Sequence, residues 1–177
     1  MTERRDRRTR QNPQKTMGET KPLILGEFSR RIDERYRLSL PNEFLETFQP
    51  LEGDCILAKE RPGCISLWEQ TAWKTKLDAR VELIQQRIKL GDLEQKMPQL
   101  QMFGRLLSTR HRAVQMAGRG RLLIPEGFRE FLGVEPGNEV MVVGAAVCLE
   151  IWHPQKWIAY IEGRMPGFRK LLDTLSH

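Results

Sequence analysis

The sequence has no apolar run long enough to cross a bilayer, which takes about 20 residues as a helix. Its arginine-rich opening has no hydrophobic stretch behind it, so neither a secretory signal nor a membrane anchor is expected. Cysteine is scarce and odd in number, at three, which argues against a disulfide framework and fits a reducing cytoplasm. The histidines His111, His153 and His177 have no cysteine or carboxylate partners at metal-ligand spacing. There is no Gly-x-x-x-x-Gly-Lys-Ser/Thr phosphate loop and no Gly-x-Ser-x-Gly elbow. Without a nucleophile–base pair, the sequence predicts no catalytic residue, no metal, no cofactor and no small-molecule substrate. The expectation is a protein that is not an enzyme.

Acidic residues are absent from one long window. Between Gln95 and Pro125 there is no Asp or Glu, while Lys96, Arg105, Arg110, Arg112, Arg119 and Arg121 all lie there. Residues 1–25 carry Arg4, Arg5, Arg7, Arg8, Arg10, Lys15 and Lys21 against Glu3, Asp6 and Glu19. They hold few large apolar side chains, so a disordered basic arm is expected over residues 1–22. The net charge of +6 is therefore concentrated, and concentrated positive charge predicts a polyanion partner.

What is present twice is more informative. Displaced so that Arg35 falls on Arg119, the sequence overlays itself without a gap: Arg37 on Arg121, Pro41 on Pro125, Phe44 on Phe128, Gly53 on Gly137 and Cys64 on Cys148. Trp68 and Trp73 fall on Trp152 and Trp157, so half of the four tryptophans map onto the other half. A duplicated unit lets every local feature be read twice.

In each unit the pattern predicts strand, turn, strand, short helix, strand, strand. Gly26–Ile32 reads as a strand, Asp33–Tyr36 as a tight turn and Arg37–Leu40 as the returning strand. Pro41 stops that strand and opens a helix predicted over Pro41–Phe48, with Phe44, Leu45 and Phe48 on one face. The second copy repeats this over Pro125–Leu132 and ends at Gly133, which suits a left-handed cap. Gly53-Asp54 and Gly137-Asn138 are read as turns into a third strand, Cys55–Lys59 or Glu139–Val143. A fourth strand follows, with Ile65 and Leu67 matching Leu149 and Ile151. Cys64 and Cys148 then read as small buried strand residues rather than reactive thiols. Four short strands cannot close a core alone, so the two units are expected to interleave into one barrel.

Helices follow each unit. Trp73, Leu77, Val81, Ile84 and Ile88 recur at helical spacing up to Gly91, and Leu93–Leu107 forms a second helical stretch interrupted or started by Pro98. The C-terminal run Trp157, Tyr160, Ile161, Phe168, Leu171, Leu172, Leu175 is helical in pattern but split by Gly163 and Pro166-Gly167. Such stripes serve a core or a contact between subunits.

The segment Ile32-Asp33-Glu34-Arg35-Tyr36-Arg37-Leu38-Ser39-Leu40-Pro41, followed by Glu43-Phe44, resembles the Asp-x-x-x-Arg signature of MraZ proteins. The later Arg119-Gly120-Arg121-Leu122-Leu123-Ile124-Pro125 and Leu149-Glu150-Ile151-Trp152 resemble the second half of the same family. The resemblance spans about residues 23–162. It implies a mainly β, α+β fold: a duplicated AbrB-like (SpoVT-AbrB) swapped-hairpin barrel with pseudo-two-fold symmetry and helices after each repeat. The implied organisation is a basic arm (1–22), a first repeat (23–74), a helical connector (75–109), a second repeat (110–158) and a helical tail (159–177).

Functionally, the resemblance implies a cytoplasmic, nucleoid-associated transcriptional regulator that forms ring-like homo-oligomers. Its partner would be double-stranded DNA, at short direct repeats in the promoter of the division and cell-wall gene cluster. The family's DNA-contacting arginine carries over to Arg37 and, by repeat equivalence, to Arg121. Chemistry agrees: arginine binds phosphate bidentately or reads guanine O6 and N7 in a groove wide enough for a two-stranded ribbon. Asp33 can accept the turn's amide protons and orient Arg37. Arg30, Arg31, Arg35, Arg112 and Arg119 complete the candidate DNA-binding set, as phosphate contacts that set register.

Two departures stand out. Ala117 occupies the position equivalent to Asp33, with Gly118 and Gly120 flanking Arg119, so the second hairpin needs another way to hold its turn. The basic arm is an addition to the family plan. The missing second Asp favours a rival reading, an oligomeric scaffold that keeps the fold but has little specific DNA binding. An RNA-binding role is disfavoured by the lack of an aromatic stacking platform. An antitoxin role is disfavoured because related antitoxins are usually single-copy.

Overall fold

A computed structural model describes residues 22–48 and 53–177. The expected basic arm lies outside them, apart from Pro22. The first half contains β1 (Glu27–Arg31), β2 (Arg37–Ser39), α1 (Asn42–Leu45), β3 (Gly53–Arg61) and β4 (Cys64–Glu69). The second contains β5 (His111–Ala117), β6 (Arg121–Leu123), α4 (Glu126–Leu132), β7 (Glu139–Gly144) and β8 (Leu149–Trp152). Between them lie α2 (Gln70–Lys89) and α3 (Met97–Arg110), joined through a 3-10 turn at Glu94–Lys96. After β8 come α5 (Pro154–Arg164), a 3-10 turn at Met165–Gly167 and α6 (Phe168–Ser176). The class is mainly β with short helices, α+β.

All eight strands form one antiparallel sheet in the order β1-β7-β8-β4-β3-β5-β6-β2. The halves interleave: β1 pairs with β7 of the other half, and β5 pairs with β3. β2 pairs with β6, and β4 with β8, so each of these strands meets its own counterpart. The ends of the order, β1 and β2, are consecutive in the chain. The Asp33 amide donates to the Arg37 carbonyl at 3.0 Å, and the sheet nearly closes into a barrel. Inside it pack Ile32, Leu38, Leu57, Ile65 and Leu67 with Leu122, Ile124, Leu149 and Ile151, all essentially inaccessible to solvent. Phe44 and Phe128, from α1 and α4, are buried in the same core.

Several boundaries depart from the sequence reading. The first short helix spans only Asn42–Leu45, and Pro41 precedes it in an extended conformation (φ −54°, ψ 140°). Pro125 behaves alike (φ −67°, ψ 155°), so each proline ends a strand without entering the helix. Beyond Leu45 the chain tightens into turns, with the Phe48 amide donating to the Phe44 carbonyl at 2.8 Å. β3 begins at Gly53 rather than after a Gly53-Asp54 turn, because the whole stretch from Gly53 to Ala58 pairs with β5. Gly163 does not break the C-terminal helix. It lies inside α5, and only Met165–Gly167, with its proline, interrupts the run. Gly133 takes the left-handed cap (φ 73°). Among the described residues no helix is long and apolar enough to cross a membrane.

Candidate nucleic-acid interface

The ladder between β2 and β6 is the centre of the pseudo-two-fold arrangement. Leu38 faces Leu122 across it, both fully buried. Side chains alternate across a strand, so the flanking residues Arg37, Ser39, Arg121 and Leu123 all point to solvent. The register sets Arg37 against Leu123 and Ser39 against Arg121. Arg37 and Arg121 are therefore diagonal neighbours on one outer face, with backbones roughly 7–8 Å apart. They line one shallow depression together with Gln115, Ala117 and Leu123. Because the strands run antiparallel, the turn holding Arg35 lies at one end of this ladder and the turn holding Arg119 at the other. The order along the face is Arg35, Arg37, Arg121, Arg119.

The first hairpin is held by one carboxylate. Asp33 Oδ1 accepts the Arg35 amide at 2.8 Å and the Arg37 amide at 2.9 Å, while Asp33 Oδ2 accepts Arg37 Nε at 2.7 Å. The Arg37 amide bond, then the Arg37 side chain and the Arg35 amide, hold the Asp33 carboxyl below its usual range, against a raising contribution from desolvation. Only Nε of Arg37 is used by this contact. Its two terminal nitrogens, which form the fork that matches phosphate or guanine, take no part in this contact, and the side chain is exposed.

The second hairpin has no carboxylate. Ala117 pairs with Arg121 in the ladder as Asp33 meets Arg37, but its methyl group accepts nothing. Arg119 (φ 62°) and Gly120 (φ 67°) both adopt left-handed conformations here, whereas Tyr36, equivalent to Gly120, is the left-handed residue of the first turn (φ 57°). Each turn tip is tied to the opposite half: the Leu40 amide donates to the Gly120 carbonyl at 2.9 Å and the Ile124 amide to the Tyr36 carbonyl at 3.0 Å.

Side-chain packing on these tips also exchanges between copies. The Arg129 guanidinium lies 4.0 Å from the centre of the Tyr36 ring, and its Nε donates to the Ile124 carbonyl at 2.6 Å. At the equivalent place Leu45 sits directly against Gly120, where a Cβ would collide with its Cδ2. So Tyr36 with Arg129 replaces Gly120 with Leu45. The self-overlay of the sequence contains this exchange, since Arg129 falls on Leu45 and Tyr36 on Gly120. Reading the differences between the copies as pairs, rather than the identities alone, would have found Arg129.

The remaining candidates are dispersed. Arg30 is half-buried on the inward row of β1: its Nη1 donates to the Ser29 carbonyl at 2.9 Å and its Nη2 lies 3.8 Å from Glu43. Arg31 is exposed on the outer row, with Glu139 opposite it on β7. Arg112 stands at the far end of β5, opposite Leu57, five residues and roughly 16 Å of strand from Ala117. In the self-overlay it falls on Phe28, not on an arginine. The ladder face thus brings together Arg37 and Arg121, with Arg35 and Arg119 exposed on the turns at its two ends, while Arg30 and Arg112 lie away from it.

The buried thiols offer no chemistry on this face. Burial pushes Cys55 up to about 11 and Cys148 up to about 12, and it raises Cys64 further, so none is a thiolate at neutral pH. Among the described residues no group of three or more His, Cys, Asp or Glu is placed to hold a metal ion.

A duplicated, interleaved hairpin barrel with arginines on its central ladder defines a class of small basic-faced β proteins. Comparison with known sequences is more specific. Residues 108–174 match the family model for the MraZ protein. Proteins called transcriptional regulator MraZ are similar over most of the chain. That of Nitrosospira multiformis is 31% identical over 135 residues, covering 76% of this chain and 84% of the relative. That of Thermomicrobium roseum is 29% identical over 156 residues, covering 86% and 99%. That of Thermus thermophilus is 28% identical over 140 residues, covering 79% and 88%. The chain belongs to the MraZ family.

Proposed function

We propose that the protein is a sequence-specific, DNA-binding transcriptional regulator of the MraZ type, built from two SpoVT-AbrB-like repeats (23–74 and 110–158). It acts on duplex DNA in the cytoplasm, associated with the nucleoid. Its sites would be repeated elements in the promoter of the division and cell-wall gene cluster, and it would engage them as a ring-like homo-oligomer. The observation that carries the reading is the ladder face: Arg37 and Arg121 lie diagonally on one exposed two-stranded ribbon, with Arg37 held by Asp33 at 2.7 Å. A major groove about 12 Å wide admits such a ribbon. Arg35 and Arg119 at its two ends suit phosphate contacts, and the basic segment over residues 1–22 adds non-specific attraction.

The test is a salt titration with duplex DNA. Phosphate neutralisation by this face predicts a linear fall of log K with log salt, with a slope near −0.9 for each phosphate neutralised. Weak binding that does not respond to salt would instead favour the scaffold reading, for which the missing carboxylate at Ala117 is the supporting observation. Deleting residues 1–22 is expected to weaken specific and random DNA alike while leaving the sequence preference unchanged.

A further inference from the structure

The depression on the outer face of the β2–β6 ladder differs from its counterpart in the other half at three places at once. It is lined by Arg37 and Arg121 with Gln115, Ala117, Leu122 and Leu123, and encloses about 210 Å³. The self-overlay of the sequence exchanges Arg37 with Arg121. It carries Gln115 onto Arg31, however, Ala117 onto Asp33 and Leu123 onto Ser39. Each difference takes a charge or a hydroxyl away from the same spot.

Strand register places these residues together. Leu123 follows Arg121 on the same face of β6 and stands directly opposite Arg37 on β2. Ala117 stands directly opposite Arg121 on β5. Opposed residues share a face with Cβ atoms about 4.5–5.5 Å apart, so Leu123 and Ala117 lie at the foot of the two arginine side chains. Gln115 uses its side-chain amide on Asp54 Oδ1 at 3.4 Å. Leu123 is 51% exposed. An exposed leucine alone is common on protein surfaces. This one forms an apolar dimple beside two arginines, on the face where the other half has a carboxylate and a hydroxyl.

The major groove presents one apolar group among its donors and acceptors, the C5 methyl of thymine, and apolar side chains are what contact it. Phosphate oxygens and guanine O6 and N7 gain nothing from leucine or alanine, whose side chains donate no hydrogen bond. We infer that the dimple formed by Ala117 and Leu123 beside Arg37 and Arg121 takes the C5 methyl group of a thymine, with Leu123 as the residue that selects it. The inference rests on the reading of the β2–β6 ribbon as the element that enters the major groove, and adds to it an uncharged specificity determinant. It also gives the lost carboxylate at position 117 a role. An aspartate there would put a charge at the edge of the dimple, so alanine suits a methyl group where Asp33 suits a guanidinium. Ser39, the counterpart of Leu123, makes no such selection, because a hydroxyl can serve either kind of base edge. The two halves of the ribbon therefore read different base pairs although both carry an arginine.

The test uses the full-length protein and the duplex it enriches from a random pool. Thymines are replaced by deoxyuridine, one position at a time in every repeated element, which removes the methyl group and leaves the pairing intact. At one position this is expected to lower wild-type affinity about fourfold for each element engaged, the effect of withdrawing one methyl group from apolar contact. Leu123→Ser is expected to bind the thymine and deoxyuridine duplexes equally at that position. Leu123→Met, which keeps an apolar contact, should still distinguish them. Should Leu123→Ser fail to fold, Ala117→Asp replaces it, with the same loss of discrimination expected. A wild-type protein that enriches no sequence overturns the DNA-reading ribbon and this inference with it. An enriched sequence in which no thymine methyl matters overturns this inference alone, as does a deoxyuridine penalty that persists in a folded Leu123→Ser protein.

Discussion

The two hairpins occupy equivalent places in one barrel yet are held by different physics. The first uses a carboxylate inside the turn, with three hydrogen bonds to Asp33 that end on the arginine facing solvent. The second uses the glycine at position 120 and the side chain of Leu45 packed onto it, with Ala117, which offers no carboxylate, paired with Arg121. Either device produces a stable left-handed corner. Only the first also fixes the direction of an arginine. A freely rotating arginine carries about 2 kcal/mol of rotamer entropy that binding must overcome, so Arg37 is the better prepared reader of the two.

That asymmetry can be broken most strongly at the arginines. Arg37→Ala is expected to lower affinity for a specific duplex by about fivefold to over a hundredfold, about 1–3 kcal/mol for a lost bidentate contact. Arg121→Ala is expected to lower it less, by fluorescence anisotropy on the same duplex. If several subunits engage repeated sites together, both losses grow by avidity without changing their order.

The corners come next. Gly120→Ala places a Cβ at φ 67° against Leu45 and is expected to destabilise the fold by about 1–3 kcal/mol in urea unfolding. Tyr36→Gly relieves the left-handed strain at φ 57° but loses the Arg129 stack, so its net effect should stay within about 0.5 kcal/mol. Equal destabilisation by both substitutions would show that the two corners are held alike.

A smaller effect is expected from Asp33→Asn, which keeps an acceptor for the two amides but removes the charge paired with Arg37. Specific affinity should fall several-fold while affinity for random DNA stays level or rises slightly, since a negative charge is lost.

The smallest effect concerns pH. The Asp33 pKa is lowered in the folded chain, chiefly by the Arg37 amide, so its contribution is complete above the unfolded value and is lost as pH falls through the lowered folded value. Carbon NMR of the Asp33 carboxyl should therefore show titration below the ordinary 3.8. The second hairpin, with alanine at the matching position, should show no response over the same range.

Much of this arrangement was legible in the sequence because duplication supplied an internal control. The eight strands in two equivalent sets, the turn at Asp33–Tyr36 and the interleaving followed from patterns seen twice, and the cap at Gly133 from the second copy alone. The pairing did not follow: the sequence reads Gly26–Ile32 and Arg37–Leu40 as the two strands of one hairpin, but β1 pairs with β7 and β2 with β6, because each strand finds its ladder partner in the other half. What escaped lies where a local rule competes with a tertiary contact. Pro41 is compatible with a helix start, but it stayed extended because the Leu40 amide beside it is pinned to the Gly120 carbonyl of the other half. Gly53 reads as a turn residue, but pairing of β3 with β5 drew it into the strand. Arg112 shares a basic window with Arg119 and Arg121, yet strand geometry puts it at the other end of β5. Charge proximity in sequence is not proximity on a β surface. The Arg129–Tyr36 stack depends on two positions that differ between copies, and similarity alone passes over them.

The central claim is that the β2–β6 ladder reads sequence through an arginine fork held by Asp33. Arg37→Lys tests it most directly, because it keeps the charge and removes only the fork. The measurement is the ratio of affinities for the duplex that the wild-type protein enriches from a random pool and for a scrambled duplex, at one fixed salt concentration. The account predicts that Arg37→Lys collapses this ratio while leaving affinity for the scrambled duplex nearly unchanged, and that Arg121→Lys lowers the ratio less. A folded, assembled Arg37→Lys protein with the wild-type ratio would contradict it.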